Sequence, residues 1–339
     1  MAGKDSLAPR ARKRVALALG SGGARGYAHI GVISELRARG YEIVGIAGSS
    51  MGALVGGLEA AGKLDDFEEW AKSLTQRAVL RLLDPSITAA GVLRAAKILD
   101  AVRDILGEVT IEELPIPYTA VTTDLIAGKS VWLQRGPVDA AIRASIAIPG
   151  VISPHVLDGR LLADGGILDP LPMAPIAAVN ADLTIAVSLG GSETDGQEEQ
   201  PADTGQRVTT EWLARVWRST SSLFENNTML NRFGAGTDGA PDADAAIDST
   251  VAETPSREEL VDSSKEVAVP KLGSFEVMNR TIDIAQAALC RHTLAAYPPD
   301  VLIEVPRSAC RSLEFHRAAE VIDIGHELAA EALDGISAR

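Results

Sequence analysis

The sequence is poor in cysteine, in aromatic residues and in long apolar runs. Its 339 residues include only two cysteines, Cys290 and Cys310. Neither stands at a metal-ligand spacing from a second cysteine or a histidine pair. A disulfide scaffold and a zinc site are therefore excluded, and reduced thiols in a cytosolic chain are expected. No stretch approaches the ~18 apolar residues that a membrane-crossing helix needs. The basic group Arg10, Arg12, Lys13 and Arg14 precedes only Val15 to Leu19 before glycine begins. That run is too short for the apolar part of an export signal. Positive charge is scarce as well. The net charge is −14, and residues 192 to 264 hold 15 acidic against 5 basic side chains, so most of the imbalance lies in one segment. Nothing offers to neutralise phosphates along a duplex, and nucleic acid is excluded as a partner.

What is present is an ordinary globular composition, 46% hydrophobic and 23% charged, with enough length for about two domains of ~150 residues. The pattern nevertheless reads as one domain over 14–339. It follows a basic tail at 1–13 and is interrupted by the acidic excursion at 192–264. Val15 to Leu19, Tyr41 to Ala47, Tyr118 to Asp124, Ser130 to Leu133, Leu183 to Leu189 and Val301 to Val305 read as strands. Helical patterns run through Ile33 to Arg39, over Ala53 to Ala61, over much of Leu64 to Leu106 with a break at Gly91, over Phe275 to Ala296 and over Phe315 to Leu333. Such alternation predicts a mostly parallel sheet with helices on both faces. Asp158-Gly159 between apolar runs signals a type I′ hairpin whose second arm, Arg160 to Ala163, delivers Asp164 at a strand end. Within the excursion, Arg207 to Phe233 reads as a helix bearing Trp212 and Trp217. Such a helix can either dock on an anionic surface or pack on the domain.

Three motifs carry chemistry. Gly20-Ser21-Gly22-Gly23-Ala24-Arg25-Gly26 follows a strand and opens a helix, so its free N–H groups suit an anion. A dinucleotide fingerprint fits poorly because Arg25 occupies the last glycine position, and no Gly-Lys-Ser/Thr follows to make a phosphate loop. Gly48-Ser49-Ser50-Met51-Gly52 is the G-x-S-x-G of the chain, again between strand and helix. That context pushes the central Ser50 hydroxyl out above a sheet. Asp164-Gly165-Gly166 is the third, although an aspartate before two glycines is first of all a turn residue. Asp238-Gly239-Ala240 resembles it but has no strand before it. Of the five histidines, His29 lies in the first turns of a helix, His155 on the hairpin, and His292, His316 and His326 near C-terminal helices. None stands in a loop after a strand, where a serine hydrolase triad would need it.

In that order, Gly22-Gly23-Ala24-Arg25-Gly26, Gly48-x-Ser50-x-Gly52 and Asp164-Gly165-Gly166 resemble the patatin-like phospholipases. The likeness is nearest to the compact bacterial members of the neuropathy-target-esterase branch. It covers roughly Arg14 to Gly190 and resumes from Phe275, with Arg143 to Gly150 and Phe315 to Ala318 in support. Ser21 stands where many members carry glycine or aspartate, and the excursion is not covered by the family pattern. The resemblance implies a three-layer patatin-like α/β fold and a Ser50–Asp164 dyad without histidine. It also implies an oxyanion loop from Gly22, Gly23, Ala24 and Arg25, with Arg25 orienting the loop, and motif glycines at Gly26, Gly48, Gly52, Gly165 and Gly166. The substrate would be a lipid or phospholipid ester. Neither metal nor cofactor is required, and the implied location is the cytoplasm, with peripheral membrane contact. Asp164 should be desolvated, since a carboxylate at its free pKa of ~3.9 is a weak base. Two alternatives stand beside this reading: a triad of Ser50, an aspartate and one of the later histidines, His316 foremost, and a vestigial site with a regulatory or partner-binding role.

Overall fold

Side chains along β1 (Arg14–Leu19) alternate between large and small, and this alternation decides what covers each face of the sheet. Val15, Leu17 and Leu19 point to one side, Ala16 and Ala18 to the other, as the two-residue period of a strand requires. The computed structural model describes residues 12–82, 96–149, 152–191 and 274–337. The tail to residue 11, the helix break expected at Gly91, the excursion at 192–264 and the Trp-bearing helix Arg207 to Phe233 lie outside the described residues.

The other strands are β2 (Glu42–Ser49), β3 (Tyr118–Asp124), β4 (Lys129–Leu133), β5 (His155–Leu157), β6 (Arg160–Asp164), β7 (Leu183–Gly191) and β8 (Val301–Pro306). They form one eight-stranded sheet in the order β5-β6-β3-β2-β1-β7-β8, with β4 also paired to β3. Strands β3, β2, β1, β7 and β8 run parallel, whereas β4, β5 and β6 pair antiparallel. The helices are α1 (Ala28–Ala38), α2 (Met51–Ala60), α3 (Leu64–Lys72), α4 (Gln76–Leu82), α5 (Ala96–Leu106), α6 (Val138–Ser145), α7 (Ser274–Ala296) and α8 (Ala318–Ser337).

The large side chains of β1 join Ile46, Ile185, Val187 and Ile303 in the main core, beneath α1, α2, α3, α5, α6 and α8. On the opposite face Ala16, Ala18, Ala47 and Ala186 are covered by Leu171, Met173 and Ile176, with Cys290 and Leu294 of α7 packed against them. Small residues let that segment approach the sheet closely. The result is helix, sheet, helix: the three layers expected from the sequence.

The hairpin forms as its dipeptide predicts. Asp158 and Gly159 both take positive φ, 49° and 73°, the signature of a type I′ turn. Strand β2 differs from expectation by continuing two residues past Ala47. Gly48 pairs with Leu19 and with Ala120, and Ser49 with Val121, so the ladder carries the strand to the edge of the motif.

Candidate active site

Strand β3 acts as a ruler for the site. One flank carries β4 along Ala120 to Asp124. The other flank carries β2 along Tyr118 to Val121 and then β6 along Thr122 to Asp124. Strands β2 and β6 therefore run toward each other and end on consecutive residues, Ser49 opposite Val121 and Asp164 opposite Thr122. Their ends bring Ser50 and Asp164 together. Ser50 Oγ donates to Asp164 Oδ2 at 2.5 Å, and the two residues are only 2% and 4% exposed.

Ser50 turns the chain sharply from β2 into α2. It holds φ 54° and ψ −121°, a sparsely populated conformation that costs about 1–3 kcal/mol for a residue with a Cβ. The flanking glycines make the turn possible by their lack of side chains. A Cβ on Gly52 would collide with the Leu19 carbonyl, and one on Gly48 would collide with the Gly52 carbonyl. The strain is held from outside the turn: the Ser50 N–H donates to Ser145 Oγ at 2.9 Å, and Ser145 Oγ donates to the Val121 carbonyl at 2.6 Å. The sequence reading attached no role to Ser145.

Asp164 is fixed on every side. Its N–H donates to the Ala147 carbonyl at 2.9 Å, its own carbonyl accepts from Thr123 Oγ1 at 2.9 Å, and Oδ1 accepts from the Gly166 N–H at 2.7 Å. One carboxylate oxygen is thus pinned to the loop while the other faces Ser50. Burial pushes its pKa up to about 6, against the opposing pull of the bonds from Ser50 and Gly166. This is the desolvation expected of it. Gly165 and Gly166 are packed too tightly for a side chain, the first against the Val121 carbonyl and the second against Ser21 Oγ. Gln286 of α7 donates to the Gly166 carbonyl at 3.0 Å, which ties this turn to the second helical layer.

The glycine loop leaves the end of β1, next to β2, and so lies beside the turn at Ser50. Its N–H groups divide into two sets. Those of Gly20, Ser21 and Ala24 donate to the carbonyls of Val187, Pro170 and Ser312 at 3.0, 2.8 and 2.9 Å. Ala24 thereby departs from the expected anion-binding set, because its one donor is already used. The N–H groups of Gly22 and Gly23 have no backbone acceptor among the described residues. Arg25 is buried, with Nε directed at the Gly22 carbonyl at 3.4 Å and the guanidinium 3.9 Å from the Asp283 carboxylate of α7. Burial lowers its pKa despite that partner. Gly26 meets Met51 so closely that no Cβ would fit, which seats the loop on α2.

No histidine bonds to Ser50 or Asp164. His29 is fully buried, and its ring N–H (Nε2) donates to the Gly20 carbonyl at 2.9 Å. Burial lowers its pKa to about 4, so the ring is neutral near pH 7 and braces the start of the loop. His155 Nδ1 accepts from Arg143, and His326 pairs with Glu35. The triad alternative loses its base on this geometry. Among the described residues, no group of three or more His, Cys, Asp or Glu converges to hold a metal.

The site thus lies on a mostly parallel sheet with helices on both faces, where a strand-to-helix turn carries a strained, buried serine bonded directly to an aspartate. Residues 17–177 match the family model described as patatin-like phospholipase. The chain is 68% identical over 337 residues to an uncharacterized NTE family protein of Mycobacterium tuberculosis, covering 95% of this chain and 91% of that one. It is 32% identical over 186 residues to the neuropathy target esterase of Drosophila melanogaster, covering 53% of this chain and 13% of that protein. The human patatin-like phospholipase domain-containing protein 6 is 33% identical over 190 residues, 53% of this chain and 14% of its own length. Among solved structures, VipD from Legionella pneumophila aligns with a TM-score of 0.43 at 14% identity, over 96% of this chain and 67% of that one. The chain belongs to the NTE family of patatin-like phospholipases, a family of lipid hydrolases.

Proposed function

We propose that the protein is a serine acyl hydrolase of lipid carboxylic esters, with Ser50 as nucleophile and Asp164 as its only proton acceptor. The observation that carries this reading is the 2.5 Å bond between two buried side chains, Ser50 Oγ and Asp164 Oδ2. As Ser50 Oγ attacks the ester carbonyl, its proton passes to Asp164 and the carbonyl oxygen becomes an oxyanion. Collapse expels the alcohol, which takes the proton from Asp164 and leaves an acyl-Ser50 ester. Water then attacks that ester while Asp164 accepts its proton, and the acid leaves with Ser50 restored. The unengaged N–H groups of Gly22 and Gly23 are the donors for the oxyanion, where one lost donor typically costs ~3–4 kcal/mol.

A lipid surface as the source of substrate is supported by side chains on the same edge of the sheet. The turn after β3 exposes Leu125 and Ile126, and Val156 stands on the neighbouring hairpin. Asp124 Oδ1 accepts from the N–H groups of Ile126 and Ala127 at 3.0 Å each, and this holds Ile126 outward with 81% exposure. Lys129 and Arg160, both exposed, flank these apolar tips and match an anionic surface. No described helix is long and apolar enough to cross a membrane. The test is hydrolysis of p-nitrophenyl esters and of phospholipid and lysophospholipid vesicles. Activity lost in both Ser50→Ala and Asp164→Asn supports the reading, and near-normal turnover by either folded variant would end it.

A further inference from the structure

We infer that Ser145 is the positioning residue of the nucleophile: its hydroxyl clamps the Ser50 backbone N–H to β3 and so holds Ser50 Oγ on Asp164. The inference rests on the hydrolase reading above and adds to it a residue outside the three motifs.

The backbone of Ser50 has an unmet need. Ser50 is the N-cap of α2, so its N–H has no partner within the helix. Strand β2 ends at Ser49, so the ladder offers it none either. The residue is almost completely buried, and an unpaired N–H at that depth is strongly unfavourable. The nearest available acceptor is Ser145 Oγ, at 2.9 Å.

A hydroxyl does here what few side chains could. Its single hydrogen is committed to the Val121 carbonyl at 2.6 Å, so a lone pair is left for the Ser50 N–H and the direction of the bond is fixed. Val121 is the residue opposite Ser49. The clamp therefore returns to the strand position where β2 stops, and α6 delivers the hydroxyl as its last residue, fully buried. Thr122, the next residue of β3, is opposite Asp164. Nucleophile and proton acceptor are thus referenced to adjacent residues of one strand, one of them through Ser145. The Ser50 N–H, being occupied, is also removed from the donors open to an oxyanion.

The experiment compares wild type, Ser145→Ala and Ser145→Cys. Cysteine keeps nearly the volume of serine but is a poor acceptor, which separates packing from hydrogen bonding. Three quantities are read on folded protein: the rate of fluorophosphonate labelling, kcat and KM on a soluble ester, and deuterium exchange of the Ser50 amide. The expectation is that labelling and kcat fall about 100-fold in both variants, as for a reacting group displaced by about 1 Å. KM stays constant and the Ser50 amide exchanges faster. Wild-type rates in Ser145→Cys would overturn the inference, since volume alone would then suffice. Unchanged amide exchange in both variants would overturn the clamp itself. Ser50→Ala serves as the separate control. If that variant still turns over, the hydrolase reading fails, while amide exchange still judges the clamp.

Discussion

The side chains of Ser50 and Asp164 meet because the two strands that carry them end, from opposite directions, on consecutive residues of β3. Ser49 is paired with Val121 and Asp164 with Thr122, and the 2.5 Å bond between Ser50 Oγ and Asp164 Oδ2 follows from that register. A slip of one residue in either strand would turn its side chains to the other face and break the contact.

Burial raises Asp164 to about 6, and only its ionised form can accept the Ser50 proton. Labelling of Ser50 by a fluorophosphonate should therefore be slow at pH 5 and rise to a plateau above pH about 7, with a midpoint near 6. A midpoint below pH 5 would show that Asp164 ionises as an ordinary surface carboxylate and is not desolvated at the site.

The same shift predicts stability of opposite sign. With a folded pKa of about 6 and an unfolded value near 3.8, the folded state binds the extra proton between those values. Asp164 thus costs nothing below pH about 4. Its cost grows between pH about 4 and about 6 and levels off at about 3 kcal/mol above that. Asp164→Asn should be inactive yet more stable than wild type at pH 8, with the two urea midpoints converging toward pH 4. Equal midpoints at pH 8 would contradict a buried charge.

The chemistry of the site was legible in the sequence to the extent that it is local. Each motif sits where a strand ends, and a glycine beside a β-branched or apolar run marks that place without knowledge of the fold. The alternation of Val15, Leu17 and Leu19 with Ala16 and Ala18 takes its meaning from the sheet, where the two sets enter different cores. Ser145 was not legible in the same way, because its partner lies 95 residues earlier in the chain. The one local sign was a serine ending an otherwise apolar helix face, Ala141, Ile142 and Ala144, all buried. Ala24 looked like a free donor for the same reason. The carbonyl that uses its N–H belongs to Ser312, far along the chain. The extra length of β2 through Gly48 and Ser49 also comes from partners, since glycine by itself reads as punctuation.

The turn at Ser50 makes a prediction about its glycines. In Gly52→Ala the new Cβ would meet backbone, the Leu19 carbonyl, which cannot swing away. The variant should lose about 3 kcal/mol or more in urea denaturation. Gly57→Ala in the same helix places its Cβ 3.0 Å from Ile142 Cδ1 and 3.2 Å from the ring and hydroxyl of Tyr118, which are side-chain atoms and not backbone, and should lose clearly less than Gly52→Ala. Similar losses in the two variants would remove the special status of the turn.

The exposed rim makes a prediction about lipid. Ile126→Asp should weaken binding to anionic phosphatidylglycerol vesicles about 10-fold or more, as expected for loss of a buried apolar side chain. It should leave kcat on a soluble ester unchanged, since Ile126 lies outside the site. Co-sedimentation equal to wild type would show that this turn does not meet the bilayer.

The most direct test of the central claim is to treat the folded protein with a fluorophosphonate and locate the adduct by mass spectrometry, with Ser50→Ala and Asp164→Asn alongside. The account predicts a single adduct on Ser50 in the wild type and none in either variant. An adduct on another serine, or full labelling of Asp164→Asn, would contradict the assignment of Ser50 as nucleophile and Asp164 as its proton acceptor.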